Sequence, residues 1–153
     1  MVIRMTLKID PSILDSDDIG EKIAGLEMGH KEAVEYVRKV CENNGFGILV
    51  EFSPSEVLNK KVGADKDPYY VLGACNAKVA DKALDITMKI GGLFPCNMVI
   101  WEQEPGVQTV YHISIMKAAR LLGIAPDNEG WQAIIDETGK NVESVFEELK
   151  SHK

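Results

Sequence analysis

The sequence predicts an α+β fold, in which a mainly antiparallel sheet carries helices packed on one face. The first observation is the order of predicted elements (strand, helix, strand, short helix, strand, helix, strand, strand, helix), which has few helices per strand. The second is a hairpin, because residues 96–103 and 107–113 are both strand-like and flank the turn Glu104-Pro105-Gly106. The third is length, since 153 residues suit one domain with a single core.

The first elements are a strand and an acidic segment. Residues 2–9 alternate apolar and polar side chains, which predicts a half-buried strand. Asp15-Ser16-Asp17-Asp18 then predicts a solvated loop, or a Ser16-capped start of a short helix over residues 19–26. Gly20 and Gly25 weaken that helix, because glycine disfavours helix interiors.

A longer helix is predicted from His30 to the stop at Asn44-Gly45. Its apolar stripe consists of Ala33, Val34, Val37, Val40 and Cys41. Cys41 lies on this stripe and is predicted to be a small buried hydrophobe. A strand over residues 46–52 follows.

The next helix has a well-defined predicted start. Ser53 is its predicted cap, Pro54 occupies the first helical position, and Glu56 completes a capping box. Gly63 ends this short helix, and a polar turn leads into a strand over residues 69–74. Asn76 is then placed to cap a helix over residues 77–90.

The C-terminal part is predicted to be helical. Ser114 caps a short helix over residues 115–122. After Pro126, two apolar stripes predict a helical tail with a break at Gly139.

Composition excludes several classes of protein. A net charge of -7 argues against a nucleic-acid partner, which needs a basic surface. No apolar run reaches the ~18 residues of a membrane helix, and the N-terminus lacks the pattern of a signal peptide, so we expect a cytoplasmic protein without a membrane partner. Three cysteines are an odd number and predict reduced thiols.

Two similar stretches, residues 69–76 and 93–100, each join an apolar run to a Cys-Asn dipeptide. The helix-length segment between them could bring Cys75 and Cys96 to one edge of the sheet. If Asn76 is the helix cap, Cys75 lies just before the helix N-terminus, where the dipole can lower a thiol pKa. The alternative is that both cysteines are small core residues in tight corners.

These patterns define candidate site residues. The candidates for ligand binding are Tyr69, Cys75, Asn76, Cys96, Asn97 and Lys61. The catalytic candidates are Cys75 and Cys96, and the candidates for holding a soft metal are Cys75, Cys96 and His112. Two sulfurs alone are an incomplete zinc site, which usually needs four ligands. No cofactor is indicated, because phosphate-cradling glycine loops and common catalytic motifs are absent from the sequence.

The run from Lys60 to Asn76, with Gly-Ala-Cys-Asn at its end, and Pro-Cys-Asn at residues 95–97 resemble the bacterial and archaeal family called domain of unknown function 302. The resemblance covers about residues 30–122, and leaves an acidic insert (11–29) and a C-terminal extension (127–153) outside it. It implies a TATA-binding-protein-like β-α-β(4)-α topology and a homodimer. It implies no established reaction.

Three functional hypotheses follow. The first is a dimeric module that binds a small molecule or a soft metal at the paired cysteines. The second is a thiol-dependent redox protein or enzyme, with Cys75 as nucleophile and Cys96 as its partner. The third is a structural dimer or interaction protein with inert cysteines.

Overall fold

A computed structural model describes residues 19–152 of the chain. The strand predicted at residues 2–9 and the acidic segment with Ser16 lie outside the described residues. None of the helices that the structure describes combines the length and apolar character needed to cross a lipid bilayer.

The described chain forms five strands and five α-helices. The strands are β1 (Lys22–Glu27), β2 (Gly47–Phe52), β3 (Tyr69–Cys75), β4 (Cys96–Glu104) and β5 (Val107–His112). The helices are α1 (His30–Asn43), α2 (Pro54–Val62), α3 (Ala77–Ile86), α4 (Ile115–Leu121) and α5 (Glu129–Ser151), with a 3₁₀ turn at Met88–Gly92 before β4.

The strands form one sheet in the order β1-β5-β4-β3-β2, and every neighbouring pair is antiparallel. The predicted α+β class with a mainly antiparallel sheet is therefore confirmed. The predicted hairpin is confirmed as well, since β4 and β5 pair on either side of Pro105 and Gly106.

One face of the sheet, the closed face, is covered by α1 and α5. Its strand residues include Leu26, Leu72 and Ile100, all of them at most 2% exposed. They pack in one cluster with Val37 of α1 and Phe146 of α5. A second cluster joins α3, α4 and the first half of α5 around Trp131, which is fully buried and donates its indole N–H to the Met116 carbonyl at 2.8 Å.

The other face, the open face, carries a row of large side chains that runs across all five strands. Strand pairing places Phe52 beside Val71, Val71 beside Val99, Val99 beside Tyr111, and Tyr111 beside Ile23. Because side chains alternate between the faces of a strand, these five residues lie on one face. Phe52 and Ile23, at its two ends, are 52% and 56% exposed.

The predicted helix caps are present. Ser53 accepts a hydrogen bond from the Glu56 amide at 3.2 Å, Asn76 from Val79 at 3.3 Å, and Ser114 from Lys117 at 3.2 Å. Each cap satisfies an amide that the first helical turn leaves without a partner. The caps set where the chain leaves β2, β3 and β5.

Three predictions about local structure were wrong. Residues 22–27 form β1 and not a helix, because Ala24 and Leu26 alternate with exposed residues at the period of a strand. The helix after Asn76 ends at Ile86, and Thr87 adopts an extended conformation. Gly139 does not break the last helix, because the apolar contacts on both sides of it hold α5 continuous.

Gly73→Ala is predicted to lower the free energy of unfolding by about 1–3 kcal/mol, the usual cost of overpacking. A Cβ at position 73 would lie 2.6 Å from Cγ2 of Val50 and 2.7 Å from Cγ of Pro95. Gly25→Ala is the matched control in another strand, since a Cβ there meets nothing within 4 Å. Urea denaturation of both variants at low protein concentration checks this, and equal stabilities would contradict it.

Candidate functional site

The two Cys-Asn corners lie next to each other in the sheet, but the cysteines do not form a pair. Strand pairing aligns Cys96 with Ala74, and Cys75 is one residue further along β3. Cys75 and Cys96 are therefore not directly opposite each other in the strand pairing, and no disulfide joins them. Cys41, Cys75 and Cys96 are all free thiols. The strands thus bring both corners to the same end of the sheet, as expected, but the two thiols do not form the expected pair.

Both cysteines contribute to the wall of a small cavity of about 40 Å³. The rest of its wall is mainly apolar and includes Phe46, Val79, Phe94, Pro95 and Met116. A space of this size holds a water molecule or two and excludes most metabolites. It does not supply the pocket that thiol chemistry on a substrate requires.

Burial opposes ionisation of the thiols. It raises the pKa of Cys96 to about 12, with a smaller contribution from the neighbouring Cys75. Burial also raises the pKa of Cys41 to about 12, and it raises the pKa of Cys75. The prediction that the start of α3 lowers the pKa of Cys75 was wrong, because desolvation of the thiolate dominates.

Asn76 has a structural role at this corner. Its side-chain oxygen accepts from the Val79 amide, and its backbone carbonyl accepts from the Ala80 amide at 2.9 Å. The side chain therefore satisfies the first turn of α3.

His112 does not join the cysteines as a metal ligand. Its Nδ1 donates to the Asn97 carbonyl at 2.8 Å, and its ring lies 6.4 Å from the ring of Phe146. Burial lowers the pKa of His112, which keeps the ring neutral. Across residues 19–152, no group of three His, Cys, Asp or Glu side chains is arranged to hold a metal ion. The metal site predicted from Cys75, Cys96 and His112 is therefore not formed by these residues.

The remaining candidates divide between two places. Tyr69 and Asn97 line a broad groove on the open face. Lys61 lies in the exposed last turn of α2 and lines neither this groove nor the polar groove described below.

We call the broad cavity the open-face groove. It has a volume of about 910 Å³ and lies between α2 and the open face of the sheet. Its floor consists of Tyr69, Val71, Val99 and Trp101, with Pro54 and Leu58 of α2 as one wall and Lys66, Asp67, Asn97 and Glu102 also in its lining. It is large enough for a metabolite of several rings.

Two aromatic rings dominate the floor of the open-face groove. Tyr69 and Trp101 are strand partners, with ring centroids 6.1 Å apart and ring planes 11° from parallel. The Trp101 indole N–H donates to Gln103 at 2.9 Å, which holds the ring in place. The Trp101 ring also contacts Tyr111 at a centroid distance of 6.1 Å. Tyr69 and Trp101 thus give the groove a preformed aromatic surface, and Tyr111 lies beside it.

Sequence reasoning missed Trp101. The signal was the run Met98-Val99-Ile100-Trp101, which is apolar at every position and not only at alternate ones. Such a run indicates a strand whose two faces both meet apolar surroundings. Met98 and Ile100 face the core, so Val99 and Trp101 need an apolar neighbour on the open face.

A second cavity, the polar groove, lies between α1 and α2 and has a volume of about 590 Å³. Arg38 is paired there with Glu51 and with Glu35, and the Tyr70 hydroxyl donates to Glu51 at 2.7 Å. Hydrogen bonds from Arg38 and Tyr70 hold the pKa of Glu51 below its ordinary value. His30, also in its lining, is hydrogen-bonded to Gln108 at 2.8 Å. Because these groups already have protein partners, a ligand in this groove would find fewer groups to bind than on the open face.

Comparison with known proteins identifies a family. The family model described as Domain of unknown function DUF302 matches residues 24–149, a longer stretch than the motifs alone indicated. A solved structure, described as an uncharacterized conserved protein DUF302 from Bacillus stearothermophilus, has the same fold with a TM-score of 0.72. It is 22% identical, and the match covers 84% of this chain and 97% of that one. No curated protein matches this chain.

We predict that the thiols react slowly in the folded protein. Iodoacetamide near neutral pH should label Cys41 and Cys96 at least about ten-fold more slowly than in urea, because both are buried and protonated. Cys75 should also react more slowly than in the unfolded chain. Mass spectrometry of labelled peptides measures each rate. A native Cys75 that reacts faster than the unfolded one would restore the thiol hypothesis.

The same pKa values predict a dependence of stability on pH. Between about pH 9 and 12, Cys41 and Cys96 are protonated in the fold and ionised in the unfolded chain, so stability falls as pH rises. Urea denaturation across this range measures the slope. The Cys41→Ala/Cys96→Ala variant is the control and should show a shallower slope, whatever its absolute stability. Equal slopes would contradict the assignment.

Proposed function

The chain belongs to the family described as Domain of unknown function DUF302, and from this premise we propose that it is a non-enzymatic, homodimeric module that binds a small, flat, largely apolar molecule in the open-face groove. The observation that carries the proposal is the aromatic floor made by Tyr69 and Trp101. Tyr69, the first residue of β3, remains 37% exposed.

The chemistry of the groove favours flat ligands. Aromatic rings attract other rings by stacking, and each such pair contributes about 0.5–1.5 kcal/mol beyond the burial of area. Val71, Val99 and Leu58 surround the rings with aliphatic surface. Lys66, Asp67 and Asn97 supply a few polar groups that could orient a ligand. An apolar pocket with a few polar groups is the usual composition of a small-molecule site.

Thiol chemistry is the weaker alternative. A nucleophilic cysteine needs an accessible thiolate, and burial raises the pKa of both Cys75 and Cys96. A metal-binding role would need ligands beyond these two cysteines. The Cys-Asn corners are better explained as packing and capping elements, which moves the proposed ligand site to Tyr69, Asn97 and Trp101.

The homodimer is supported by the amount of exposed apolar surface. Around the open face and α2, the apolar side chains that are more than a third exposed are Ile23, Leu49, Val50, Phe52, Val57, Leu58, Val62 and Tyr69. Phe52 and Ile23, at the two ends of the open-face row, are both more than half exposed. Exposed apolar side chains that adjoin one another are typical of protein–protein contact sites.

Helix α2 points to the same conclusion. Within α2, all of whose residues the structure describes, Ser55 alone is buried. Val57, Leu58 and Val62 of this helix are 44%, 41% and 72% exposed. A helix normally buries its apolar side chains against a neighbour. A second copy of the chain would supply one.

We predict that the neutral flat probe N-phenyl-1-naphthylamine binds in the open-face groove. Trp101→Ala and Tyr69→Ala should each weaken its binding about ten-fold, since each removes a ring from the floor. Probe fluorescence in a titration measures the affinity. Trp131 is buried in the second core cluster, so its intrinsic fluorescence reports whether a variant is folded.

Cys75→Ser and Cys96→Ala are the control variants for this titration. Neither residue lines the open-face groove, so the affinity should stay within about two-fold of the wild type. If the cysteine variants lose binding and the Trp101 variant keeps it, the ligand site is at the cysteine corner. If the wild type binds no flat apolar probe, the proposed function is wrong.

We predict that Phe52→Lys weakens the dimer by about thirty-fold or more, the effect of losing one hot-spot side chain and burying a charge in its place. Met88→Lys is the matched control, because Met88 is 79% exposed and lies outside the open face. Sedimentation equilibrium over a range of protein concentrations measures the dissociation constant. A wild type that stays monomeric, or a Phe52→Lys variant that dimerises normally, would contradict the proposed interface.

A further inference from the structure

We propose that the open-face groove is half of the ligand site and that a second copy of the chain completes it, so that the ligand is held between two sheets. This inference rests on the proposed function, because it assumes that the groove binds a small molecule. It adds that ligand binding and dimerisation are linked. It also names the part of the partner that closes the site, the β1 edge around Gly25.

The floor of the groove and the proposed interface are one surface. Val71 belongs to the groove, and it is also the strand partner of Phe52, which lies outside the groove and is 52% exposed. Val99 connects the groove floor to Tyr111 and through it to Ile23 at the far edge. A partner that covers Phe52 and Ile23 therefore also covers the groove between them.

The groove is open on the side away from the sheet. A flat molecule that lies on Tyr69 and Trp101 has one face against protein and the other toward solvent. Small-molecule sites usually bury about 70–90% of the ligand. Sheets that pack face to face lie about 10 Å apart and their side chains fill that space, so a ligand fits between them only where the face is hollow, as it is at the groove.

The open face is uneven in a way that suits a copy of itself. One row of side chains runs from Tyr69 through Trp101 and Thr109 to Gly25. At its Tyr69 end, α2 rises beside the sheet as the groove wall. At its other end Gly25 has no side chain, and a Cβ added there would meet nothing within 4 Å. The face thus has a raised edge and a low edge.

A two-fold axis that runs along the central strand β4 brings these edges together. In a two-fold interface, if surface A of one copy contacts surface B of the other, B also contacts A. The strand order β1-β5-β4-β3-β2 places β4 in the middle, so this axis sets the α2 side of each copy against the β1 side of its partner. The raised edge of each copy then lies over the low edge of the other, so the same contact forms twice.

Charge agrees with this arrangement. Lys60 and Lys61 lie in the last turn of α2, at the raised edge. Glu27 lies on β1, two residues from Gly25 and on the same face. Helix α2 also carries Glu56, so its side chains sum to one positive charge, which favours contact with Glu27 over a pairing in which like edges meet.

The test uses Gly25→Leu in the full chain. A leucine at position 25 fills the low edge. The variant chain itself has room for this side chain, because nothing lies within 4 Å of a Cβ added there. Position 25 lies on β1, two strands away from the Trp101 strand and three from the Tyr69 strand, so the variant leaves the groove of its own chain intact. Gly91→Leu is the matched control, since Gly91 also has open space around its Cβ and lies in the 3₁₀ turn.

We expect Gly25→Leu to weaken the dimer and the binding of N-phenyl-1-naphthylamine, each at least about ten-fold, while Gly91→Leu changes neither. In the wild type, saturating probe should tighten the dimer dissociation constant at least about ten-fold, because a ligand bound by the dimer pulls the equilibrium toward it. Sedimentation equilibrium with and without probe measures both effects. A cooperative unfolding transition would show that Gly25→Leu is folded, because a weaker dimer alone already lowers the melting temperature.

Three outcomes would overturn the inference. A monomeric Gly25→Leu that binds the probe with wild-type affinity would show that one chain suffices for the site. A Gly25→Leu variant that keeps both dimer and binding would exclude this pairing of edges and leave the proposed function standing. A wild type that is monomeric at every concentration, with Trp101 shielded from acrylamide quenching, would place residues 1–18 of the same chain over the face. Absence of probe binding to the wild type is a different result and counts against the proposed function itself.

Discussion

The covering of the sheet on one side only is the constraint on which the rest of this structure depends. Helices α1 and α5 bury the closed face, and the pairing of the strands then fixes which side chains are left on the other. Because the side-chain period of a strand is two, Met98 and Ile100 enter the core only if Val99 and Trp101 face outward. A strand that is apolar at every position thus produces an apolar open face.

The Cys-Asn corners show how a motif that suggests chemistry can be a packing device. Gly73 is required where Val50 and Pro95 close over the strand, since a Cβ there would lie within 3 Å of both side chains. Ala74 is fully buried and faces Cys96 across the strand pair, so both must be small. Asn76 then ends the strand by capping α3. Geometry thus explains Gly73, Ala74 and Asn76 of the Gly-Ala-Cys-Asn run, whereas Cys75 is only half-buried.

The sequence was sufficient to predict those parts of the structure that depend on interactions between residues close together in the chain. The caps at Ser53, Asn76 and Ser114 and the β4–β5 hairpin follow from side chains that act within a few residues. It was insufficient where contacts between residues far apart in the chain determine the local structure. β1 is a strand because β5 pairs with it, and α5 continues through Gly139 because the core holds both halves. The positions of the thiols depended on the register of β3 and β4, which no local pattern shows.

The balance of polar and apolar groups distinguishes the two grooves. In the polar groove, Arg38, Glu51 and Tyr70 satisfy one another, so bringing a ligand there means breaking bonds already made. On the open face Phe52 and Ile23 are more than half exposed, and covering such apolar side chains gains free energy without such a loss. A net charge of -7 makes two copies repel each other. Association therefore needs a surface whose apolar contacts outweigh this repulsion, such as the open face. The surface that this molecule leaves available for contact is therefore apolar, and a partner or a ligand would bind through apolar contacts.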